Sequence, residues 1–200
     1  MDKKYWNKYY KSNYKPFVQS NFSEFVVEAL AAESSIIDIG CGNGRDSIFF
    51  ANQKFKTTGI DQSIVAIENL KKYENEYLKF KTLSFSELKN GDKFDYAYCR
   101  FIFHSINELE EDSLLHWLRN NVSKNIFIEA RVDIDQEKYM KTNHYRRLMN
   151  IEEFSKKLKK IGFVIISSEI SDKFSIYSKK YRVEDIKFNP ILARLVIKNS

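Results

Sequence analysis

The chain has only two cysteines, two prolines, six glycines and three histidines in 200 residues. Cys41 and Cys99 lie far apart and no CxxC pair occurs, so neither a disulfide framework nor a thiolate zinc site organises it. No apolar run approaches the length needed to cross a bilayer. The opening Met1-Asp2-Lys3-Lys4-Tyr5-Trp6 lacks the apolar centre of a signal peptide, and the expectation is a soluble, cytoplasmic protein without a membrane partner. Charge of one sign is not segregated either. The formal charge is +6, yet Lys and Glu are interspersed, and the densest basic run, Lys156 to Lys160, reads as the wet face of a helix. Nucleic acid is therefore not the expected partner. With so few glycines, the cluster Gly40, Gly42, Gly44 carries positional information.

What is present suits one globular domain spanning 1–200: 43% hydrophobic and 30% charged residues are enough for a core and a wet surface. Residues 1–19 hold Tyr5, Trp6, Tyr9, Tyr10, Tyr14 and Phe17 with no clean helical period. From Ser20, a plausible N-cap, the apolar positions Phe22, Phe25, Val26, Ala29 and Leu30 mark one face of a helix. Strands follow at Ser35–Ile39, Thr57–Ile60, Lys79–Leu83, Phe94–Cys99 and Ile126–Ile128. Between them run helices from Arg45 to Gln53, after a cap at Ser63, and around Leu114–Leu118. A polar stretch, 131–150, interrupts the rhythm before a helix that starts at Ile151 and stops at Gly162, a left-handed C-terminal cap. Strands at Phe163–Ile166 and Ile191–Ile197 close the chain. Alternating strands and helices specify an α/β fold with a largely parallel sheet, and no repeat or linker divides it.

In such sheets ligands bind beyond the carboxyl ends of the strands, where the strand order reverses. The first such loop here is Asp38-Ile39-Gly40-Cys41-Gly42-Asn43-Gly44. Asp61 stands at the end of the second strand, about 20 residues on, where a carboxylate accepts hydrogen bonds from ribose hydroxyls. Dinucleotide loops read GxGxxG and present a helix N-terminus to a pyrophosphate. Here the third glycine comes one residue early and Asp38 precedes the loop. That carboxylate repels a pyrophosphate and suits a nucleoside with a cationic tail.

At these residues the chain resembles the class I S-adenosylmethionine-dependent methyltransferases, over nearly its whole length. Ile37–Gly44 looks like the family's first motif, Thr58–Ser63 like its second, and Phe94–Arg100 like its fourth, the strand beside the transferred methyl. The resemblance implies a Rossmann-like sandwich with a mostly parallel seven-stranded sheet whose last strand is antiparallel. It implies S-adenosyl-L-methionine as cofactor, its methionine end held by Asp38 and the backbone of Gly40, Cys41, Gly42, Asn43 and Gly44. Asp61, with Gln62 beside it, takes the ribose, and Cys99 belongs to the fourth-strand motif. The family often places an acid after the third strand, near the adenine. This sequence has Ser84 and Phe85 there, so Ser84 takes that contact while Phe85 packs either on the ring or in the core.

The acceptor must be aligned for in-line attack and, where protonated, relieved of its proton. The candidates are Arg100 and His104 after the fourth strand, Glu129 and Arg131 after the fifth, and His144, Arg146 and Arg147 in the 131–150 insertion. Together they resemble a bacterial subgroup of small methyltransferases in which these loops cover the substrate. Arginine suits carboxylate or phosphate. A clamp of Arg100, Arg131, Arg146 and Arg147 therefore points to a small anionic acceptor, methylated on oxygen: a phosphorylated, nucleotide-linked or acidic sugar compound. The subgroup likeness suggests tailoring of surface polysaccharide. His104 is either a general base or, if the acceptor oxygen is already anionic, a hydrogen-bond donor. Glu129, Asp133 and Asp135 alternate but lack supporting ligands, and no metal is expected. The resemblance also makes 1–19 a lid in which Tyr5, Trp6, Tyr10 and Tyr14 exclude water, Tyr10 touching the acceptor. Methylation of RNA or protein, and a non-catalytic cofactor-binding module, remain as rivals; oligomeric state is left open.

Overall fold

The computed structural model describes residues 3–16, 18–84, 87–88, 91–133, 147–175 and 190–200. Helices α1 (Lys3–Ser12) and α2 (Asn21–Val27) precede strand β1 (Ser35–Ile39). Then come α3 (Arg45–Asn52), β2 (Lys56–Asp61), α4 (Ile64–Leu70), β3 (Leu78–Thr82) and β4 (Tyr96–Arg100). The chain continues through α5 (Glu108–Asn121), β5 (Asn125–Arg131), α6 (Ile151–Ile161), β6 (Phe163–Ser171) and β7 (Leu192–Asn199).

The strands form one seven-stranded sheet in the order β3-β2-β1-β4-β5-β7-β6. Strands β3, β2, β1, β4 and β5 pair in parallel, while β7 runs antiparallel to both β5 and β6. This is the Rossmann-like methyltransferase arrangement that the sequence predicts. The chain builds outward from β1 to β3 and then returns to lay β4 against the other side of β1. The strand order therefore reverses between β1 and β4, and their carboxyl ends diverge into a crevice.

The pleat decides what faces that crevice. Successive side chains alternate between faces of a strand. Ile37, Ile39, Ala97, Cys99, Ile126 and Ile128 fall on one face and pack with Leu114, Leu115 and Leu118 of α5 and Phe154 and Leu158 of α6. Ile36, Tyr96, Tyr98 and Phe127 fall on the other, against Phe22 and Val26 of α2 and Phe50 of α3. Asp38, Arg100, Glu129 and Arg131 continue this second face toward the strand ends, so the same alternation that builds the core delivers charge to the crevice. Each fully buried Leu, Ile or Phe here contributes roughly 1.5–3 kcal/mol.

Local signals account for the helix ends. Ser20, Ser63 and Asn150 accept the backbone N–H of Ser23, Ala66 and Glu153, and Asn107 and Glu110 form a reciprocal capping box. Gly162 ends α6 in the left-handed conformation. The N-terminal segment departs from expectation. Residues Lys3–Ser12 are helical, because Tyr5, Trp6, Tyr9 and Tyr10 sit at i, i+1, i+4 and i+5, a stripe hidden by the polar residues around it. Helix α2 ends at Val27, so Ala29 and Leu30 lie beyond it, and Phe25 is partly exposed. Among the described residues no helix is long and apolar enough to cross a membrane.

Candidate active site

A pocket of about 580 Å³ opens at the carboxyl ends of β1 and β4, within the size range of small-molecule sites. Its floor begins with the turn after β1. The N–H groups of Gly40 and Cys41 both donate to the carbonyl of Ile60, at 2.8 and 2.9 Å, tying the turn to β2. Gly40 and Gly42 have φ of +73° and +57°, the left-handed region that only glycine enters without strain. A Cβ on Gly40 would run into Ile102, and one on Gly42 into the Tyr10 hydroxyl. The loop is a cradle that side chains would fill.

Carboxylates ring this cradle. Asp61 accepts the Gly42 N–H at 3.1 Å through Oδ2 and the Ser63 N–H at 2.8 Å through Oδ1. Burial raises its pKa, and those two amides pull against the rise. Asp38 accepts a short 2.5 Å hydrogen bond from the Ser47 hydroxyl. Burial, opposed by Ser47 and reinforced by Asp46 and Asp61, pushes Asp38 up to about 7. Gln62, also in the wall, holds its Nε2 buried without a hydrogen-bond partner among the described residues. A buried amide donor beside the Asp61 carboxylate is suited to an acceptor atom of a nucleoside. The residues present therefore fit S-adenosyl-L-methionine: a glycine cradle, an acid for an ammonium, an acid for ribose and an orphaned donor.

The far wall comes from β4, β5 and the turn after β4. Arg100 donates through Nε to Glu129 at 2.8 Å, and Arg194 donates to the other Glu129 oxygen at the same distance. Burial works against the Arg100 charge, but Glu129, Tyr98 and Asp46 more than compensate and raise its pKa. Phe101 has φ +61°, a strained conformation for an aromatic residue, costing of order 1–3 kcal/mol. The turn is held by its N–H donating to the Glu129 carbonyl at 2.8 Å and by the Ser105 hydroxyl donating to its carbonyl at 3.0 Å. Its ring lies 4.1 Å from the Arg100 guanidinium and 5.7 Å from that of Arg131. The turn brings His104 onto β5, where its Nδ1 accepts the Arg131 N–H at 3.2 Å.

Helix α1 closes one side of the pocket with Tyr5, Trp6, Tyr9 and Tyr10. Trp6 stacks on Tyr10 and Tyr5 on Tyr9. The segment is pinned where the Ser63 hydroxyl donates to Asn7 at 2.7 Å and the Asn43 amide donates to the Lys15 carbonyl at 2.9 Å.

Of the residues singled out in the sequence, Asp38, Gly40, Cys41, Gly42, Asn43, Asp61, Gln62, Ser84, Arg100, His104, Arg131 and Tyr10 all line this one pocket. Others do not. Cys99 is fully buried on the α5 face of β4, under the pocket rather than in its wall. Gly44 caps α3 and backs onto Leu70 and Phe80. Glu129 is fully buried between two arginines, behind the wall. Arg147 pairs with Glu111 and Glu108 in a separate hollow between α5 and α6, so it does not converge with Arg100 and Arg131. Tyr14 lies past the end of α1 and outside the wall. Phe85, Asp135, His144 and Arg146 fall outside the described residues.

Sequence reasoning missed Arg45, Asp46, Tyr98 and Phe101, which also line the pocket. Asp46 gathers the Ser20 N–H and the hydroxyls of Ser20, Ser23 and Tyr98. Burial would raise its pKa, but Arg45, Arg100 and these donors leave it lowered. The available signal was position: Arg45-Asp46 opens the helix after the glycine loop, and Tyr98 shares a strand face with Arg100.

Residues 9–172 match the family described as "Methyltransferase domain". The chain belongs to this methyltransferase family. It is an S-adenosylmethionine-dependent methyltransferase. Solved structures share the fold at low identity. A methyltransferase from Methanosarcina mazei superposes with a TM-score of 0.71 at 16% identity, covering 88% of this chain and 96% of the other. The Burkholderia thailandensis 1,6-didemethyltoxoflavin-N1-methyltransferase, solved with that compound and S-adenosylhomocysteine, gives 0.67 at 16%, covering 90% and 77%. The [4+2]-cyclase SpnF gives 0.69 at 15%, covering 90% and 80%. No curated protein sequence matches the methyltransferase.

We propose that Asp38 takes the cofactor's ammonium group, which would make cofactor binding pH-dependent. An ammonium group binds the carboxylate form, and burial pushes the Asp38 pKa up to about 7 in the ligand-free protein. Affinity for S-adenosylhomocysteine is expected to level off above neutrality and to weaken as pH falls, by about tenfold per unit well below the Asp38 pKa. Because the folded pKa is raised, the ligand-free protein should lose stability as pH climbs from the ordinary carboxylate range to about 7. Calorimetry across pH in buffers of differing ionisation enthalpy checks both the slope and the proton released. An unchanged affinity from pH 5 to 8 rejects the assignment.

Proposed function

We propose that this methyltransferase acts on a small anionic acceptor, transferring the methyl group to oxygen. The observation that carries the reading is the pair of guanidiniums, Arg100 and Arg131, flanking Phe101 in the wall of the pocket that holds the glycine cradle. Arg100 is oriented by Glu129, and a guanidinium so held is suited to carboxylate or phosphate. The cofactor supplies a methyl group on a sulfonium, which is its own leaving group. The chain's residues bind, orient and exclude water: Asp38 and the Gly40–Gly42 backbone take the methionine end, and Asp61 and Gln62 the ribose side. Helix α1 acts as a lid, its aromatic stripe keeping the pocket dry. Phosphorylated, nucleotide-linked and acidic sugar compounds are the acceptor classes, with surface-polysaccharide tailoring in the cytoplasm as the setting.

The test is a screen for S-adenosylhomocysteine release with those acceptors, their neutral parents and RNA. Anionic compounds should turn over, and Arg131→Met should lower kcat/KM on them about 10- to 150-fold, the worth of one charged hydrogen bond. Equal turnover of neutral parents, with Arg131→Met unaffected, rejects the reading. Salt-sensitive methylation of RNA would replace it with the macromolecular rival.

A further inference from the structure

We infer that Glu111, buried on α5 outside the pocket, is a positioning residue for the acceptor: through the Arg147 side chain it holds a short strap, residues 147–149, that ties the backbones of His104 and Arg131 together. The inference rests on the proposed seating of the acceptor against Arg131.

The strap is defined by its hydrogen bonds. The Arg147 N–H donates to the His104 carbonyl at 2.7 Å, and the Met149 N–H donates to the Arg131 carbonyl at 3.0 Å. The Met149 carbonyl accepts the Asp133 N–H at 3.2 Å, which makes a single parallel bridge between Val132 and Met149. The ring closes where the Arg131 N–H donates to His104 Nδ1 at 3.2 Å. Three segments distant in sequence are thus joined in one circuit: the 3-10 turn after β4, the end of β5, and the strap. Two members of that circuit, His104 and Arg131, line the pocket.

One bridge is little to hold a strap, because fixing backbone torsions costs entropy at every residue. The Met149 side chain helps by packing with Val132 and Phe154 in the core. The charged end is fixed by Glu111. The Arg147 guanidinium donates to Glu111 Oε2 and lies 3.5 Å from Glu108. The other Glu111 oxygen accepts Lys157 Nζ of α6 at 2.7 Å, and Lys157 also pairs with Asp112.

The place of Glu111 on α5 argues for a role beyond packing. It stands three, four and seven residues before Leu114, Leu115 and Leu118, on the buried stripe of the helix, and is only 3% exposed. Replacing a buried ion pair by an apolar residue there is often neutral or stabilising. A leucine would therefore serve the core as well, but it could not direct a guanidinium. Glu111 lines the separate hollow of about 380 Å³ between α5 and α6, so it acts on the pocket only through the strap. The glycine cradle and Asp61 are held instead by β2 and the start of α4. Loosening the strap should therefore disturb the acceptor side and leave the cofactor side in place.

The test compares the full chain with Glu111→Leu, which keeps the stripe apolar and leaves Lys157 to Asp112 and Arg147 to Glu108, and with Glu111→Gln should the first variant not fold. Amide hydrogen exchange is followed with S-adenosylhomocysteine bound. Protection of the Arg131, Asp133, Arg147 and Met149 amides should fall about tenfold or more, while the Gly42 and Ser63 amides keep their wild-type rates. Calorimetry with inorganic phosphate, using the binding that Arg131→Met removes, should show about tenfold weaker affinity in the variant, with S-adenosylhomocysteine affinity within about twofold of wild type. Unchanged exchange, or a loss spread evenly over the sheet, overturns the strap. A selective loss with phosphate affinity unaltered overturns the positioning role. A selective loss in a protein whose wild type binds no phosphate at this site upholds the strap and overturns the anionic-acceptor reading instead.

Discussion

With Asp61 placed at the ribose as proposed, Asp61→Ala is expected to weaken S-adenosylhomocysteine binding about 100-fold or more, because the ribose hydroxyls would lose a carboxylate acceptor and hydrogen bonds worth roughly 1.5–3 kcal/mol each. The variant also releases the Gly42 and Ser63 amides that Asp61 now holds, loosening the cradle and the cap of α4. Asp61→Asn separates these contributions, since its amide oxygen still accepts from one of the backbone N–H groups. Titration calorimetry on all three proteins, with circular dichroism to confirm folding, makes the comparison. Asp61→Asn should fall between the other two. An Asp61→Ala protein that is folded and binds within about fivefold of wild type would remove Asp61 from the cofactor site.

Glu129→Ala is expected to be the most destabilising single change at the site, by about 3–5 kcal/mol, the cost of removing one partner from a buried charged group. The substitution leaves Arg100 and Arg194 facing one another across an empty position with no counter-charge between them. Arg194 keeps Asn21 Oδ1 at 2.7 Å and the rings of Phe22, Phe25 and Phe174, whereas Arg100 loses its orienting contact. The melting temperature should drop by about 10 °C, taking roughly 2–4 °C per kcal/mol for a chain of this size. Glu129→Gln, which retains an acceptor oxygen, should cost less. Urea unfolding with an unchanged m-value and a loss under about 1 kcal/mol would show that the two arginines find other partners.

Much of the fold was legible because its signals are local. Periodicity located all seven strands and the helices from Ser20 onward, and caps such as Ser63 and Gly162 marked their ends, but β6 runs five residues past the expected Ile166, β5 three past Ile128, and α5 begins six before Leu114. Helix α1 escaped because it is stabilised by what it covers. Its aromatic stripe faces the pocket, and none of its residues is fully buried to announce an apolar face. That Asp38, the glycine turn and Asp61 share one pocket was legible because they end two adjacent, hydrogen-bonded parallel strands, so spacing along the chain becomes spacing in the crevice.

The acceptor half was not. The sequence by itself determined which charged residues follow β4 and β5, and that the turn between them and the glycine loop would meet at a strand-order reversal. It could not say which arginines converge, since Arg100, Arg131 and Arg147 are equivalent as letters. Tertiary structure separated them by pairing Arg147 with the buried Glu111 on α5 and by placing Glu129 between Arg100 and Arg194. It also decided the roles of Asp46 and Tyr98, whose partners come from α2. The partner of the His104 Nδ1 was decided by one backbone amide on a neighbouring strand. The physical reason is common to all of these. A side chain's propensity is written in its own neighbourhood, but its charge state and direction are set by whichever group the sheet brings within hydrogen-bond reach.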